Sequence, residues 1–419
     1  MAPAATLDFD YLIVGAGASG LSLAYHMAQE PRLAGQRVLL VEPEAVKADD
    51  RTWRYWSAVE TPFAALEAHR WERLVIRTPG FERVLALAPY RYRMVRAGDF
   101  YAFVGAALAA RPQQFTRLQG RVVAVAEAPA GGPAGAVATL ADGRQVTARY
   151  LFDSRLPKLE RNPARYRYLE QHFLGWEIET DTDEFDPGTV QFMDFRVPQH
   201  GQTRFVYALP FTPRRALVEF TVFSGQVLPK AEYEAELRAY LATRLGGRPY
   251  RVVGEEGGSI PMTDHPLPAR ASAHVLNIGT RAGRAKPSTG YTFARAQRHA
   301  ARLVAALAET GHPPADSTGS RWQFGLFDTL LLDIMQRQGE TVRDIFQQLF
   351  SRNPVQRIFR FLDEETSWTE NLQIMNSVRP WPFLRSIGQV LRGRPGVKKP
   401  GSGAFSSAAA GFFHAWPAA

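Results

Sequence analysis

Two continuous apolar runs, 10–14 (DYLIV) and 37–41 (RVLLV), bracket a segment with helical spacing over 18–30. This order predicts a strand–helix–strand unit ending at Glu42. Residues 99–110 (DFYAFVGAALAA) predict a second helix with an acidic start. Residues 121–126 and 137–150 predict strands around the Gly/Pro/Ala loop 128–136, with a hairpin turn at Asp142-Gly143. From 170 to 253 the pattern changes to alternation, in 189–196 (TVQFMDFR), 204–209 (RFVYAL) and 216–223 (ALVEFTVF), followed by a helix over 231–245. That predicts a separate, mostly antiparallel layer. A buried strand returns at 274–279, then a Gly-rich turn, then a helix over 289–309. Residues 322–376 read as helical, with Phe324, Phe327, Leu330, Leu331 and Ile334 forming a stripe. The segment after 392 is rich in Gly, Ser, Ala and Pro and is expected to be poorly ordered.

Of the 419 residues, 45% are hydrophobic and 22% charged, enough to build a sizeable core. The net charge, +9 from 50 basic and 41 acidic residues, names no partner by itself, and no motif supports nucleic-acid binding. Cysteine is absent, which excludes disulfides, thiolate metal sites and thiol nucleophiles. The start MAPAATLDFD lacks a positively charged leader and an apolar h-region, so no export is expected, and no apolar run reaches the ~18 residues of a membrane span. The domain expectation is a nucleotide-binding part at 1–160, an antiparallel-sheet substrate part at 161–254, a second nucleotide-binding part at 255–315, a helical segment at 316–390 and a tail at 391–419.

Between the first strand and first helix stand Gly15, Gly17 and Gly20, in the spacing G-x-G-x-x-G. These glycines suit a tight turn, close approach of backbone to a pyrophosphate, and close helix–strand packing; Glu42 suits a ribose diol. The helix start, with Ala16 and Ser19 in the same turn, presents free N–H groups to the diphosphate. A second loop, 277–291 (NIGTRAGRAKPSTGY), also follows a strand and opens a helix. One ligand with two ends fits both, and FAD is the simplest such ligand; the plainer alternative is that 279–290 is only a flexible loop. The cofactor-binding expectation is therefore Gly15, Ala16, Gly17, Ser19, Gly20 and Glu42 from the first loop. From the second it is Gly279, Thr280, Pro287, Ser288, Thr289, Gly290 and Tyr291.

The blocks RTWRYW (51–56), FDSR (152–155), FLGWEIE (173–179), FMDFR (192–196), FVYALPF (205–211), LVEFT (217–221), IPMT (260–263) and GTRAGRAKPSTGYTF (279–293) occur in an order that resembles the FAD-dependent lycopene cyclases of carotenoid biosynthesis. The resemblance implies an α/β fold. In it, a Rossmann-type FAD-binding domain is interrupted by an antiparallel-sheet substrate domain and followed by a C-terminal helical segment, as in flavin hydroxylases and geranylgeranyl reductases. It also implies acid-catalysed, redox-neutral closure of lycopene ends to β-ionone rings, giving β-carotene or γ-carotene, with FAD reduced by NAD(P)H but not consumed. Two rivals are a polyprenoid or carotenoid hydroxylase or reductase of the same fold, consuming NAD(P)H, and a non-catalytic carotenoid-binding flavoprotein.

The family's acid segment, usually F-L-E-E-T, matches Leu217, Val218, Glu219, Phe220 and Thr221 here. The first carboxylate is kept as Glu219 and the second is replaced by Phe220, so the resemblance assigns acid catalysis to Glu219. Neighbouring strand positions point to opposite faces, so a pair there could not enter one pocket. Read locally, Glu219 is equally a solvated carboxylate or a partner of Arg214 or Arg215. FLDEET (361–366) looks closer to the family pattern, but it lies in a charged helical stretch where pairs such as Arg360 with Glu364 are expected, so Glu364 and Glu365 are set aside. Asp194 is a second candidate, as a cation stabiliser or as a group holding Glu219 through a neighbour, against a plain ion pair with Arg196. Trp176, Phe192, Tyr207 and Phe211 are candidate substrate residues, whose aromatic faces stabilise a carbocation, or else ordinary core.

A C40 hydrocarbon substrate implies peripheral contact with a bilayer, on the cytoplasmic face of the inner membrane, and possible association with other carotenoid-pathway enzymes. Two segments could make that contact: the 322–350 stripe, which is otherwise core, and Arg379, Arg385, Arg392, Arg394, Lys398 and Lys399 beside Trp381, Phe383 and Leu384, otherwise a solvated basic tail.

Overall fold

A computed structural model of the chain describes residues 7–47, 49, 51–157, 159, 162, 165–314 and 322–392. Residues 393–419, and with them Arg394, Lys398 and Lys399, lie outside the described residues. The chain divides into two compact units, each made of three segments.

The first unit comprises Met1–Arg70, Arg93–Leu159 and Pro266–Ser320. Its main sheet runs in the order Phe115–Gln119, Val38–Glu42, Phe9–Val14, Gln145–Asp153, Ala136–Leu140, Val122–Glu127, and Val275–Asn277 also pairs with Gln145–Asp153. The apolar runs read from the sequence are its parallel centre: Phe9–Val14 pairs in parallel with both Val38–Glu42 and Gln145–Asp153. Such strands are buried on both faces, which is why they lack alternation. On one face Leu12, Val14, Leu39 and Val41 join Ala138 and Leu151. On the other Tyr11, Ile13 and Leu40 pack with the helices Ala18–Gln29, Ala97–Ala109 and Phe293–Thr310.

The second unit comprises Trp71–Tyr92, Glu160–His265 and Arg321–Ala419. Its sheet has the order Tyr250–Thr263, Tyr168–Thr180, Arg215–Ser224, Thr203–Thr212, Thr189–Asp194, Arg73–Thr78, Phe81–Ala86. The long strands are antiparallel, in keeping with their alternating sequence; the exception is Thr189–Asp194, which pairs in parallel with Arg73–Thr78. Helix Lys230–Leu245 covers one face, where Leu237, Leu241 and Leu245 meet Val206, Ala208, Val218, Phe220 and Val222.

Two boundaries differ from the sequence expectation. Residues 71–92 belong with this sheet because Arg73–Thr78 hydrogen-bonds to Thr189–Asp194. Residues 255–263 stay with it because Tyr250–Thr263 is one continuous strand paired along Tyr168–Thr180.

The C-terminal segment folds as helices Trp322–Arg337, Thr341–Arg352, Val355–Leu362, Trp368–Asn376 and Trp381–Arg392. The stripe of the first of these is core: Phe324, Leu330 and Ile334 are buried, and Phe324 and Phe327 pack on Phe361. Arg360 forms its ion pair with Glu370, and residues 363–366 make a turn between helices. Among the described residues no helix is long and apolar enough to cross a membrane.

Candidate functional site

In the first unit the glycine motif lies where the sequence places it. Gly15 adopts φ +96°, and the first helix starts at Ala18 with Gly17 as its cap. A Cβ on Gly20 would stand 1.9 Å from the Gly15 carbonyl oxygen, so only glycine permits this helix–turn contact. A Cβ on Gly17 would meet nothing within 4 Å, leaving open space beside the helix N-terminus. Glu42 accepts the Ala16 N–H at 2.6 Å through Oε2 and faces Lys47 Nζ at 3.1 Å through Oε1. The Ser154 hydroxyl, donating to the Val14 carbonyl at 2.7 Å, closes the turn from below, a contact no local pattern reveals.

The second glycine loop reaches the first. Gly279, at φ +63°, lies so near Ser19 that a Cβ there would stand 2.4 Å from the Ser19 hydroxyl. The buried Asp153 carboxylate takes Arg281 at 3.1 Å and Arg155 at 2.8 Å, tying this loop to the sheet. Gly290, at φ +72°, turns the chain, with its N–H on the Lys286 carbonyl. Ser288 and Thr289 are buried, and Thr289 Oγ1 has no hydrogen-bond partner. An orphaned buried hydroxyl is costly, and a ligand's polar group would relieve it. Strand Thr52–Ser57 supplies an aromatic wall: Trp53 stacks on Phe293 at 5.3 Å, and Trp56 meets Tyr291 at 4.5 Å. The Gly-lined space, the helix N-terminus and the orphaned hydroxyl together fit a dinucleotide.

In the second unit Glu219 is 1% exposed, midway along Arg215–Ser224. Its neighbours across the sheet are Tyr207 on one side and Gly175 on the other. The Thr221 hydroxyl, two positions along on the same face, donates to Glu219 Oε1 at 3.0 Å. Arg214 and Arg215 turn elsewhere, to Asp183 at 2.6 Å and to Glu177 at 2.6 Å. On the Glu219 face Phe192 lies 5.8 Å from Tyr207, Phe205 lies 5.1 Å from Tyr207, and Phe350 and Phe359 close over Phe192 at 6.0 and 6.4 Å. Phe350 and Phe359 are additions that only the fold supplies, since they come from a distant helical segment, whereas Phe205 shares the face of Tyr207 by strand alternation.

The sheet does not bring the other candidates to this face. Trp176 pairs with Val218 and lies on the opposite, helix-covered face, beneath the Arg238 guanidinium at 5.3 Å. Asp194 is also turned that way. A register shift between Gln191 and Asp194 re-aims the strand end, and Asp194 takes the Tyr240 hydroxyl at 3.1 Å and Arg196 at 2.7 Å. The ion pair with Arg196 is thus the observed arrangement, and Asp194 does not reach Glu219. Burial and the adjacent Asp194 carboxylate push the Tyr240 phenol well above its ordinary value. Beside it opens a cleft of about 520 Å³ rimmed by Arg77, Arg196 and Arg244. Phe211 is half-buried, at a register shift between Pro210 and Thr212.

A family profile described as lycopene cyclase protein matches residues 10–387. The chain is 26% identical to a lycopene beta-cyclase of Pantoea ananas over 401 residues, covering 91% of this chain and 98% of that one. It is 29% identical to a lycopene beta-cyclase of Paracoccus sp. (strain N81106 / MBIC 01143) over 419 residues, covering 94% and 100%. Among solved structures it is similar to a geranylgeranyl bacteriochlorophyll reductase-like protein from Thermoplasma acidophilum, with TM-score 0.55, 15% identity, and coverage of 91% and 99%. A flavoprotein/dehydrogenase from Cytophaga hutchinsonii is similar at TM-score 0.56 and 11% identity, with coverage of 92% and 100%. These structures share the α/β fold.

Proposed function

The chain belongs to the lycopene cyclase family, and from that premise we propose that it closes the acyclic ends of lycopene to β-ionone rings by acid catalysis, without net redox change. The observation that carries this reading is Glu219, a carboxyl buried at 1% exposure on an aromatic-lined sheet face.

The Thr221 hydroxyl donates to Oε1 and fixes the orientation of the carboxyl that delivers the proton. Protonating the terminal double bond yields a tertiary cation, the neighbouring double bond attacks it, and loss of a proton completes the ring. The product is an isomer of the substrate. Tyr207, directly opposite Glu219, and Phe192 beside it present π-faces that stabilise the cation and exclude water.

FAD would be held by the backbone around Gly15, Gly17 and Gly20, by Glu42, and by the loop from Gly279 to Tyr291 with the Thr289 hydroxyl. When bound and reduced, with NAD(P)H as the reductant, it supplies an electron-rich, anionic ring and is not consumed. Contact with a bilayer follows from the solubility of such a substrate. Trp322, Trp368 and Trp381, exposed at 59%, 48% and 65% on the C-terminal helices, are the side chains suited to an interface.

The test is expression in lycopene-accumulating cells followed by chromatography and mass measurement of the pigment. Cyclic product of unchanged mass, with no stoichiometric loss of NAD(P)H in the purified reaction, is expected. A gain of two hydrogens or one oxygen would replace the cyclase reading with a reductase or hydroxylase. Glu219→Gln is expected to retain FAD and lower ring formation at least ~100-fold, the scale of a lost general acid; near-normal ring formation in this variant would remove the acid from Glu219.

A further inference from the structure

A buried acid that gives up its proton must be reloaded, and the sheet places a second carboxylate where it can do so. The strands set four positions in a row: Tyr207 opposite Glu219, Glu219 opposite Gly175, and Gly175 opposite Glu256. Residues directly opposite in antiparallel strands share a face. A Cβ placed on Gly175 would lie 3.1 Å from Leu217 Cδ1, 3.3 Å from Glu219 Cβ and 3.4 Å from Glu256 Cγ, so both glutamate side chains stand against this glycine, with Leu217 packed beside them. The adjacent Glu255 goes the other way: it accepts the Trp176 indole N–H at 3.2 Å and pairs with Lys230 at 2.6 Å on the helix-covered face. Of the two neighbouring glutamates, Glu256 is therefore the one on the side of the acid. It is also only partly buried, whereas Glu219 is sealed.

We propose that Glu256 is the proton relay between solvent and Glu219, exchanging protons past Gly175, the one position between them without a side chain. This inference rests on Glu219 being the acid. Each cycle is balanced: Glu219 loses one proton to the terminal double bond, and the ring-closed cation releases one to water. Glu256, loaded from solvent, returns one to Glu219, so no oxidant or reductant enters. Glu256 acts through Glu219 and not on the substrate, which makes it a positioning residue for the proton.

The experiment is ring formation by the reduced flavoprotein in D2O, compared for the wild type, Glu256→Gln, Glu256→Asp and Gly175→Ala, with flavin content and circular dichroism as folding controls. The wild type is expected to incorporate one deuterium per ring in repeated turnover. Glu256→Gln should keep the first turnover within about twofold, slow later turnovers at least ~10-fold and lower the total deuterium incorporated in a fixed time, reflecting a lost proton-transfer group. Glu256→Asp should restore most of both, and Gly175→Ala, whose methyl presses between Leu217 and the two glutamates, should resemble Glu256→Gln. Unchanged repeated turnover and deuterium content in Glu256→Gln would overturn the relay. Equal loss of first and later turnovers would overturn it too, assigning Glu256 a merely structural part. An active Glu219→Gln variant would instead overturn the acid itself, so the two failures are separable.

Discussion

Asp194 and Glu219 illustrate how strand geometry separates two carboxylates of similar burial. Both are almost wholly excluded from solvent, yet Asp194 is held by the Arg196 guanidinium and the Tyr240 hydroxyl on the helix-covered face, while Glu219 lies on the aromatic face. Asp194→Asn removes the charge that Arg196 neutralises and weakens a buried hydrogen-bond network. It is expected to cost about 1–3 kcal/mol of stability while leaving ring formation per folded flavoprotein within about twofold. Urea unfolding and pigment assays of the same preparation check this; abolished ring formation at unchanged stability would show that Asp194 serves the chemistry.

At the scale of elements, the two glycine loops are parts of one construction, because helix Ala18–Gln29 touches Gly279 through Ser19. The glycines of the motif differ in what they do, and substitutions separate them. Gly20→Ala drives a methyl into the Gly15 carbonyl and is expected to destabilise the first unit by about 3 kcal/mol or more and to abolish flavin retention. Gly17→Ala meets no protein atom within 4 Å, so melting is expected to stay close to wild type. The methyl nevertheless enters the space a pyrophosphate needs, and FAD affinity should fall at least ~10-fold. Flavin absorbance after gel filtration, with thermal melts, distinguishes the two; equal effects would mean that the motif serves only packing.

For the whole molecule, each unit contains a buried histidine whose protonation opposes folding. His172, fully buried between Ser224 and Tyr233, is pushed down to about 4, chiefly by burial. His299 is pushed down to about 3 by burial, with the Arg284 and Arg302 charges adding to it. The unfolded chain, with histidines near 6.5, takes up protons first as pH falls. Stability is therefore complete above about pH 6.5 and declines below it, with the His172 contribution, roughly 3 kcal/mol, exhausted near pH 4. Calorimetric melts across this range are expected to show the loss, and His172→Gln should flatten the part belonging to the second unit. An unchanged slope in that variant would place the acid sensitivity elsewhere.

The strand–helix–strand unit, the Gly15-Gly17-Gly20 turn, the alternating strands around Glu219 and the helical C-terminal segment were all legible along the chain, because each rests on spacing within a few residues. What depended on pairing between distant segments was not. Membership of residues 71–92 in the second sheet depends on hydrogen bonds to Thr189–Asp194, about 115 positions away in the case of Arg73 and Thr189. Which face Asp194 takes is decided by a local register shift that no hydrophobicity pattern marks. Alternation shows only that Trp176 and Glu219 each face one side of a sheet. The register that sets Trp176 opposite Val218 and Gly175 between Glu219 and Glu256 comes from packing three strands against one helix, and so does the identity of the residues that share the acid's face.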